Sequence, residues 1–527
     1  MQLSRHDLSQ LDEAYLLGLG EDRLRTLSVK LLADLKAAHE RLEQNSRNSS
    51  RPPSSEAPWE GAQVEEASTK TVDRDEEENA PEDAQENDGQ EESKPGKDGV
   101  KESAESSEPQ PRRAGQRPGE AGHGRTQSLP IDQECHHHPD ACAVCGAALT
   151  GADEERTHGA CLVIDLRELS ADRAGLQVIQ TKQIYHERHC QCGHWTRAEP
   201  GHCAEDAQWS VALSERHLIG ALLVALICAL SLRMRLSRRR IQEFLHDWLG
   251  LQLGVATINQ CLHEAARALE PVVEEQLLAE VRNSDLLHAD ETSWKEHGRL
   301  LWLWVFTTAT TTVFTIGRRS QELLHGVLGT VIDGWLMSDG YWAYRDYDNR
   351  LRCLTHLLRK ARGLEDSLDR QARSFGTALR ASIETVMDAV YSAREGPPPI
   401  PLREQHAKQL NALLDLCIEH AEAAHEKTRA LARELLNDWN TFWIVLDHPE
   451  LPLTNNLAER ALRHWVIARR ISYGTRNAQG SRAFTLLASV IETCRLRGHL
   501  PWPYIAEVLR ERRRGNTAPA LPAAVVI

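Results

Sequence analysis

Three carboxylates stand out for the chemistry they would do together. Leu286-Leu287-His288-Ala289-Asp290-Glu291-Thr292 is a short apolar strand ending in acid, and Gly334-Trp335-Leu336-Met337-Ser338-Asp339-Gly340 is a second. Glu459 follows Asn455-Asn456-Leu457-Ala458 at the start of a helix expected to begin near Thr454. Two strand-end aspartates and a helical glutamate converge if the strands are neighbours. An all-oxygen set suits Mg²⁺ or Mn²⁺ rather than Zn²⁺. Such a triad can hold two ions about 3.5–4 Å apart, which activate a water or a 3′-hydroxyl and stabilise the leaving 3′-oxygen during in-line attack on a phosphodiester. Spacing alone does not single these residues out: Asp285, Glu291, Asp333, Asp346 and Asp447 compete as surface or capping acids.

A second constellation is built on sulfur. Cys142-Ala143-Val144-Cys145-Gly146 and Cys190-Gln191-Cys192-Gly193 each make a tight knuckle in which two thiolates face one point and the glycine permits positive φ. Cys142, Cys145, Cys190 and Cys192 suit a structural, tetrahedral Zn²⁺, with unligated or redox cysteines as the alternative. Cys135, His136, His137, His138, Cys161, His189 and Cys203 are nearby substitutes as ligands. Short strands are expected at 160–166 and 177–180, so residues 131–205 read as a zinc-ribbon-like module.

Other elements must position these groups. Residues 22–44 read as a helix with Leu24, Leu31 and Ala38 recurring at seven, as do Ser28, Leu35 and Leu42; a short coiled coil and a plain amphipathic helix both fit. The thirteen-residue apolar run Leu218–Leu230 is too short for a bilayer, which needs about 20 residues, and predicts a buried helix. Ser237 is an N-cap candidate for a second helix, Gly250 to Gly254 a turn, and Val255 the start of a third. Helix, turn, helix is compatible with a DNA reader over 213–275 and equally with three packed helices. Arg238, Arg239 and Arg240 would supply phosphate contacts. Strands are expected at 301–306 and 313–316, a helix at 321–332, and helices again across 351–445. Arg460, Arg463, Arg469 and Arg470 make a basic helix face, either solvated or tracking phosphates.

The net charge of −15 is misleading until localised. Residues 51–110 hold 19 acidic and 6 basic side chains, so the rest of the chain is close to neutral and nothing in it opposes a nucleic-acid partner. That segment has almost no branched apolar or aromatic residues, and 51–130 is expected to be a disordered acidic linker. The first six residues lack an apolar signal core, so an intracellular protein with no membrane span is expected.

Taken in order, Asn45–Ser55, the two cysteine knuckles, His288-Ala289-Asp290-Glu291-Thr292, Ser338-Asp339-Gly340-Tyr341, Asn455-Asn456-Leu457-Ala458-Glu459-Arg460 and Ile491-Glu492-Thr493-Cys494 with Gly498 resemble a bacterial transposase of the insertion sequence 66 family. The resemblance implies an α+β multidomain protein. Its RNase-H-like mixed sheet core would span 284–485, interrupted by a helical insertion at about 362–445 that accounts for the long interval between Asp339 and Glu459. An N-terminal helix (1–50), the zinc module, the helix-turn-helix-like region and a C-terminal helical segment (486–527) complete it. It further implies Asp290, Asp339 and Glu459 as the catalytic, Mg²⁺-binding triad. His356 and Arg359 are candidates for the scissile phosphate, with a core histidine as the alternative for His356. Asn455 and Asn456 are expected to cap the helix and orient Glu459, with plain capping as the equal alternative. The implied partners are DNA (element ends and target), at least a second copy of the chain, and small accessory proteins of the same element, in a bacterial cytoplasm at the nucleoid. A divalent-ion nuclease that does not join, and a catalytically dead zinc-dependent DNA-binding protein, are the alternatives.

Overall fold

The structure, a computed structural model, describes residues 13–42, 129–151, 154–168, 175–203, 211–396 and 398–525, with positions 11, 44, 48 and 127. The expected acidic linker lies outside the described residues except at its last few positions. Helix α1 (Glu21–Leu42) starts with Glu21 and Asp22 and ends with His39 and Arg41, an order that complements the helix dipole. Of its heptad positions, Leu24, Leu35 and Leu42 are exposed.

The cysteine-rich stretch forms β1 (Gln133–His137), β2 (Glu155–Leu166), β3 (Val178–His189) and β4 (Trp195–Arg197). β3 is central, with β1 parallel on one side, β2 antiparallel on the other, and β4 pairing its end. β2 and β3 are longer than their apolar runs predict. Only the inner halves are apolar, while Arg156 and Arg197 pair across strands with the buried Glu187 and hold the polar outer halves. A two-residue ladder, β5 (His202–Cys203) with β6 (Leu213–Ser214), leads to the helices.

The apolar run folds as α2 (Ala221–Cys228), continues as a π-helical turn to Arg233, and is buried along most of its length. Ser237 caps α3 (Arg238–Leu249) by accepting the Arg240 N–H, and Gly250 ends it at φ +64°. α4 (Val255–Pro271) follows as expected. β2 docks on this block. Ile164 exchanges backbone hydrogen bonds with Leu218 and Gly220 (2.9 and 2.7 Å), and Asp165 accepts the Leu223 N–H (2.8 Å). A Cβ at Gly220 would lie 2.0 Å from the Asp165 carboxyl carbon, so only glycine fits there.

The central sheet comprises β7 (Leu286–Glu296), β8 (Arg299–Thr307), β9 (Thr312–Gly317), β10 (Trp335–Ser338) and β11 (Arg350–Arg352), in the order β11-β10-β7-β8-β9. β11, β10 and β7 run parallel, and β7, β8 and β9 form an antiparallel meander. α5 (Gln321–Leu328) carries the chain from β9 to β10. Edge strand β9 is covered by α12, introduced below, whose Ser489 and Thr493 hydroxyls accept the N–H groups of Phe314 and Thr312 (2.9 and 3.0 Å).

After β11 the chain builds a helical insertion of α6 (Leu354–Glu365), α7 (Arg370–Glu395), α8 (Ala407–His420), α9 (Glu426–Asn437) and α10 (Trp439–Trp443). It has its own core, including Leu357, Phe375, Leu379, Ile383 and Leu435, and it begins at Leu354, earlier than the expected 362. The chain then returns as α11 (Asn456–Ser472), α12 (Ala478–Leu496) and α13 (Pro501–Arg513). The N-terminal α1 rests on the insertion, where Glu40 accepts from the Ser367 hydroxyl and pairs with Lys427 (3.3 Å) and His425 (3.6 Å). Among the described residues no helix is long and apolar enough to cross a membrane.

The join between sheet and insertion is ionic. Asp438, fully buried, meets Arg350 (2.8 Å), Arg345 (3.4 Å) and Arg352, while Glu434 of α9 meets Arg352 (2.5 Å) and Lys360 (2.6 Å). Removing one partner of such a network leaves uncompensated buried charge. Asp438→Ala is therefore expected to lower stability by about 3–5 kcal/mol in urea unfolding and to speed proteolytic cutting inside 366–450; unchanged values for both would refute the role given to this network.

Candidate active site and cysteine cluster

β-pairing decides where the aspartates stand. Met337 of β10 is level with His288 of β7, the last pair of that ladder, and extending the register two residues past it brings Asp339, just beyond β10, beside Asp290. Asp290 is not at the end of its strand, as the sequence suggests, because β8 continues to pair with β7 as far as Glu296. It lies where the pairing of β10 with β7 stops. Strand alternation turns the even-numbered residues of β7 toward α11 and α12. His288 meets Asn455, Thr292 meets Arg469, and Trp294 stacks on Phe484 at 4.8 Å.

Asn455, fully buried, fixes the start of α11 over this face. Its side-chain oxygen pairs with His288 Nδ1 (3.0 Å), its amide donates to the Ala289 carbonyl (2.8 Å), and its backbone N–H donates to Cys353 Sγ (3.2 Å). It makes no side-chain cap bond, which corrects the expected capping role: the amide ties helix to strand. Glu459, in the first turn, is thereby brought toward Asp290.

The electrostatics record the crowding. Burial, then the negative charges of Asp339, Glu291 and Glu459, hold the Asp290 carboxyl well above the usual range, although it accepts the Glu291 N–H (2.8 Å). Asp339 accepts the Tyr341 N–H (2.9 Å). Glu459 lies 3.7 Å from His356 and 3.6 Å from Arg359, and its Oε1 is buried without a hydrogen-bond partner. Crowded acids and an orphaned buried oxygen are what a hard divalent cation satisfies, so these residues fit Mg²⁺ or Mn²⁺. Cys353, His356 and Glu459 bring one donor atom each within 4.8 Å of one another. The aspartates do not join that set, and a two-ion site spans more than a single-ion cluster, since its ions are about 3.5–4 Å apart.

Glu291, treated above as a competing surface acid, is buried on the opposite face of β7. Arg319 donates to it at 2.6 and 2.9 Å and the Tyr344 hydroxyl at 2.7 Å. Burial and the Asp339 charge still lift its carboxyl to about 7 against those partners. The Arg319 guanidinium is stacked on Tyr341 (3.9 Å) and Trp302 (4.4 Å), and so connects the Asp339 turn to Glu291. Alternation along β7 is the signal that could have separated Glu291 from Asp290. Nothing local marks Arg319, Tyr344 or Cys353.

The candidate DNA-contacting arginines divide. Arg239, Arg460 and Arg463 are exposed. Arg238 donates to Ser231 (3.1 Å), and Arg240 is paired with Glu243 (2.6 Å). Arg469 is taken up by Thr292 and the Ser293 hydroxyl (2.9 Å each), so it pins α11 to β7 instead of belonging to the outer basic face. Arg470 is exposed beside it.

The four knuckle cysteines converge. Cys142 and Cys192 Sγ are 3.7 Å apart, Cys145 and Cys190 Sγ 3.5 Å, and all four lie within 4.8 Å of one another. A tetrahedral ion with Zn–S bonds of about 2.3 Å requires sulfur separations of about 3.8 Å, so the cluster fits zinc. Gly146 and Gly193 take φ +71° and +85°, as the knuckles need. Backbone N–H groups of Cys145 and Val144 pull the Cys142 thiol down to about 6, while Cys190, against the Cys192 N–H, is pushed up to about 12 by burial and the facing thiols, and Cys192 is also raised. Cys135, Cys161, Cys203 and His189 fall outside the cluster.

A mixed sheet with acids on and just beyond neighbouring parallel strands, and an acid-bearing helix beside them, defines an α+β protein. The model of the transposase IS66 family matches residues 216–483, which take in β7 to β11, the insertion and α11, and the chain belongs to that family. A family of unknown function, DUF6444, matches residues 6–87. The chain is similar to two uncharacterised proteins of Sinorhizobium fredii. It is 27% identical to y4jO over 35% of this chain and 54% of the relative, and 24% identical to y4jD over 51% and 58%. The chain thus spans a little over half the length of the curated relatives it matches.

The raised carboxyls predict a pH signature. Folded Asp290 and Glu291 hold protons that the unfolded chain releases near pH 4, so stability falls as pH rises from there through the folded values, near 7 for Glu291. Without divalent ions, Asp290→Asn is expected to raise the melting temperature at pH 8 and to flatten its decline between pH 5 and 8. Mg²⁺ is expected to stabilise the wild type more than the variant. A variant that melts below wild type at pH 8, or gains as much from Mg²⁺, contradicts this reading.

Proposed function

We propose that this chain is a DNA transposase with an RNase-H-like catalytic core. What supports the reading is the β10–β7 register, which extended two residues would set Asp339 beside Asp290, together with the Asn455 tie at the start of the Glu459 helix. Asp290, Asp339 and Glu459 would hold two Mg²⁺ or Mn²⁺ ions. Bound there, the ions supply Lewis acidity to the attacking and leaving oxygens of a phosphodiester. His356 and Arg359, already beside Glu459, would position the scissile phosphate. The triad would orient first a water, to free the 3′-end of the element, and then that 3′-hydroxyl, to attack target DNA.

Arg239, Arg460, Arg463 and Arg470, with Arg238 and Arg240, would track the backbone of bound DNA. The α2–α4 block would read element ends as a helix-turn-helix-like unit, and the cysteine cluster would hold structural zinc in a ribbon-like module. Coordinating two ends requires at least a dimer, for which the exposed leucines of α1 offer a face. Accessory proteins of the same element and a location at the bacterial nucleoid belong to the same reading.

The test uses labelled element ends and target DNA with Mg²⁺. Wild type is expected to yield cleaved and joined products. Asp290→Asn, Asp339→Asn and Glu459→Gln should each lower cleavage by about 10²–10³-fold or more while DNA binding measured with Ca²⁺ persists. Cleavage without joined products would make the chain a nuclease, and activity untouched by all three substitutions would reduce it to a DNA-binding protein.

A further inference from the structure

The polar side of the β1-β3-β2 sheet carries a second group of metal-binding side chains, apart from the cysteine cluster. His136 and His138 share one face of the β1 segment. Extending the pairing of β1 with β3, in which His137 is level with Tyr185, sets His138 beside His186. Glu155, at the start of β2, reaches the same place from the other side, because β2 pairs antiparallel with the end of β3. His138 Nδ1 is 2.9 Å from Glu155 Oε2, and His186 Nδ1 is 3.2 Å from Glu155 Oε1. One donor atom from each of the three residues falls within 4.8 Å of the others.

Two observations go beyond a histidine–glutamate hydrogen bond. His186 is buried, and its Nδ1, though near Glu155, has no partner with hydrogen-bond geometry. The outer contacts are those that metal ligands keep. His186 Nε2 pairs with His136 Nδ1 (2.8 Å), and in the tautomer in which Nε2 donates, Nδ1 offers its lone pair to a metal; Arg188 Nε donates to Glu155 Oε2 (2.6 Å), which orients the carboxylate. The His138 and His186 rings stack at 4.5 Å, a spacing that disfavours protonating both.

We propose that His138, His186 and Glu155 form a second metal site that binds one borderline divalent ion of the zinc, cobalt and nickel class. Two imidazoles and a carboxylate match the preference of these ions. The ligands come from three strand segments, so the ion ties the short edge strand β1 to β3 and β2. His138 and Glu155 are exposed, which leaves the fourth position to water. The site is independent of the phosphodiester chemistry.

Untagged full-length chain, saturated with zinc and passed over a weak chelating resin, would be assayed for bound metal. His138→Gln and Glu155→Gln are each expected to bind one ion fewer per chain than wild type. With cobalt in place of zinc, both variants should keep the thiolate-to-cobalt absorption of the cysteine cluster and lose only the weaker bands of a nitrogen–oxygen site. Equal metal counts in wild type and both variants overturn the proposal. So does loss of the thiolate absorption in both variants, since the module then fails as a whole.

Discussion

The structure is organised around like charges forced together. Burial and the nearby charges of Asp339, Glu291 and Glu459 make ionising Asp290 costly, and the fold holds these acids near one another all the same. The parallel register of β10 on β7 fixes the two aspartates. Asn455 fixes the helix of Glu459 by spending its whole side chain on β7. Arg469, ten residues further along α11, fastens the same helix to Thr292 and Ser293. In the proposed function, a bound cation would favour the ionised form of Asp290 that burial and neighbouring acids oppose.

Arginine serves two purposes here, and its partners separate them. Arg319, Arg352, Arg469 and Arg513 lie against specific acceptors: Glu291, Asp438, the Thr292–Ser293 segment and Glu264. They add directional ties between elements that also pack through apolar side chains, because a guanidinium offers a planar fork of donors. Arg239, Arg460 and Arg463 remain on the surface. A helix-face count from sequence puts Arg469 with the second group, although its carbon stem turns it inward to β7.

The legible parts of the fold were those written in local pattern. The Ser237 cap, the Gly250 stop and the paired knuckles each depend on a few adjacent residues and stand where those residues put them, whereas the apolar run from Leu218 becomes helix only from Ala221, its first residues docking on β2 instead. Strand lengths were less legible. β2 and β3 extend past their apolar halves because cross-strand ion pairs carry them further, and pairs between distant residues leave no periodic trace. The insertion boundary moved for a similar reason, since Leu354 and Leu357 choose the insertion core over the sheet only once both exist.

By itself the sequence determined the types and order of the reactive groups: acids after short apolar strands, thiols in glycine-closed knuckles, and a resemblance spread along the chain in one order. Tertiary structure alone decided which of several acids stand together, that Glu291 belongs to an arginine clamp on the far side of β7, and that Asn455 ties a strand instead of capping a helix. Residue type follows from the gene, whereas proximity between positions more than a hundred residues apart follows from strand register and helix docking. Those are settled by the burial of the whole core and not by any segment of it.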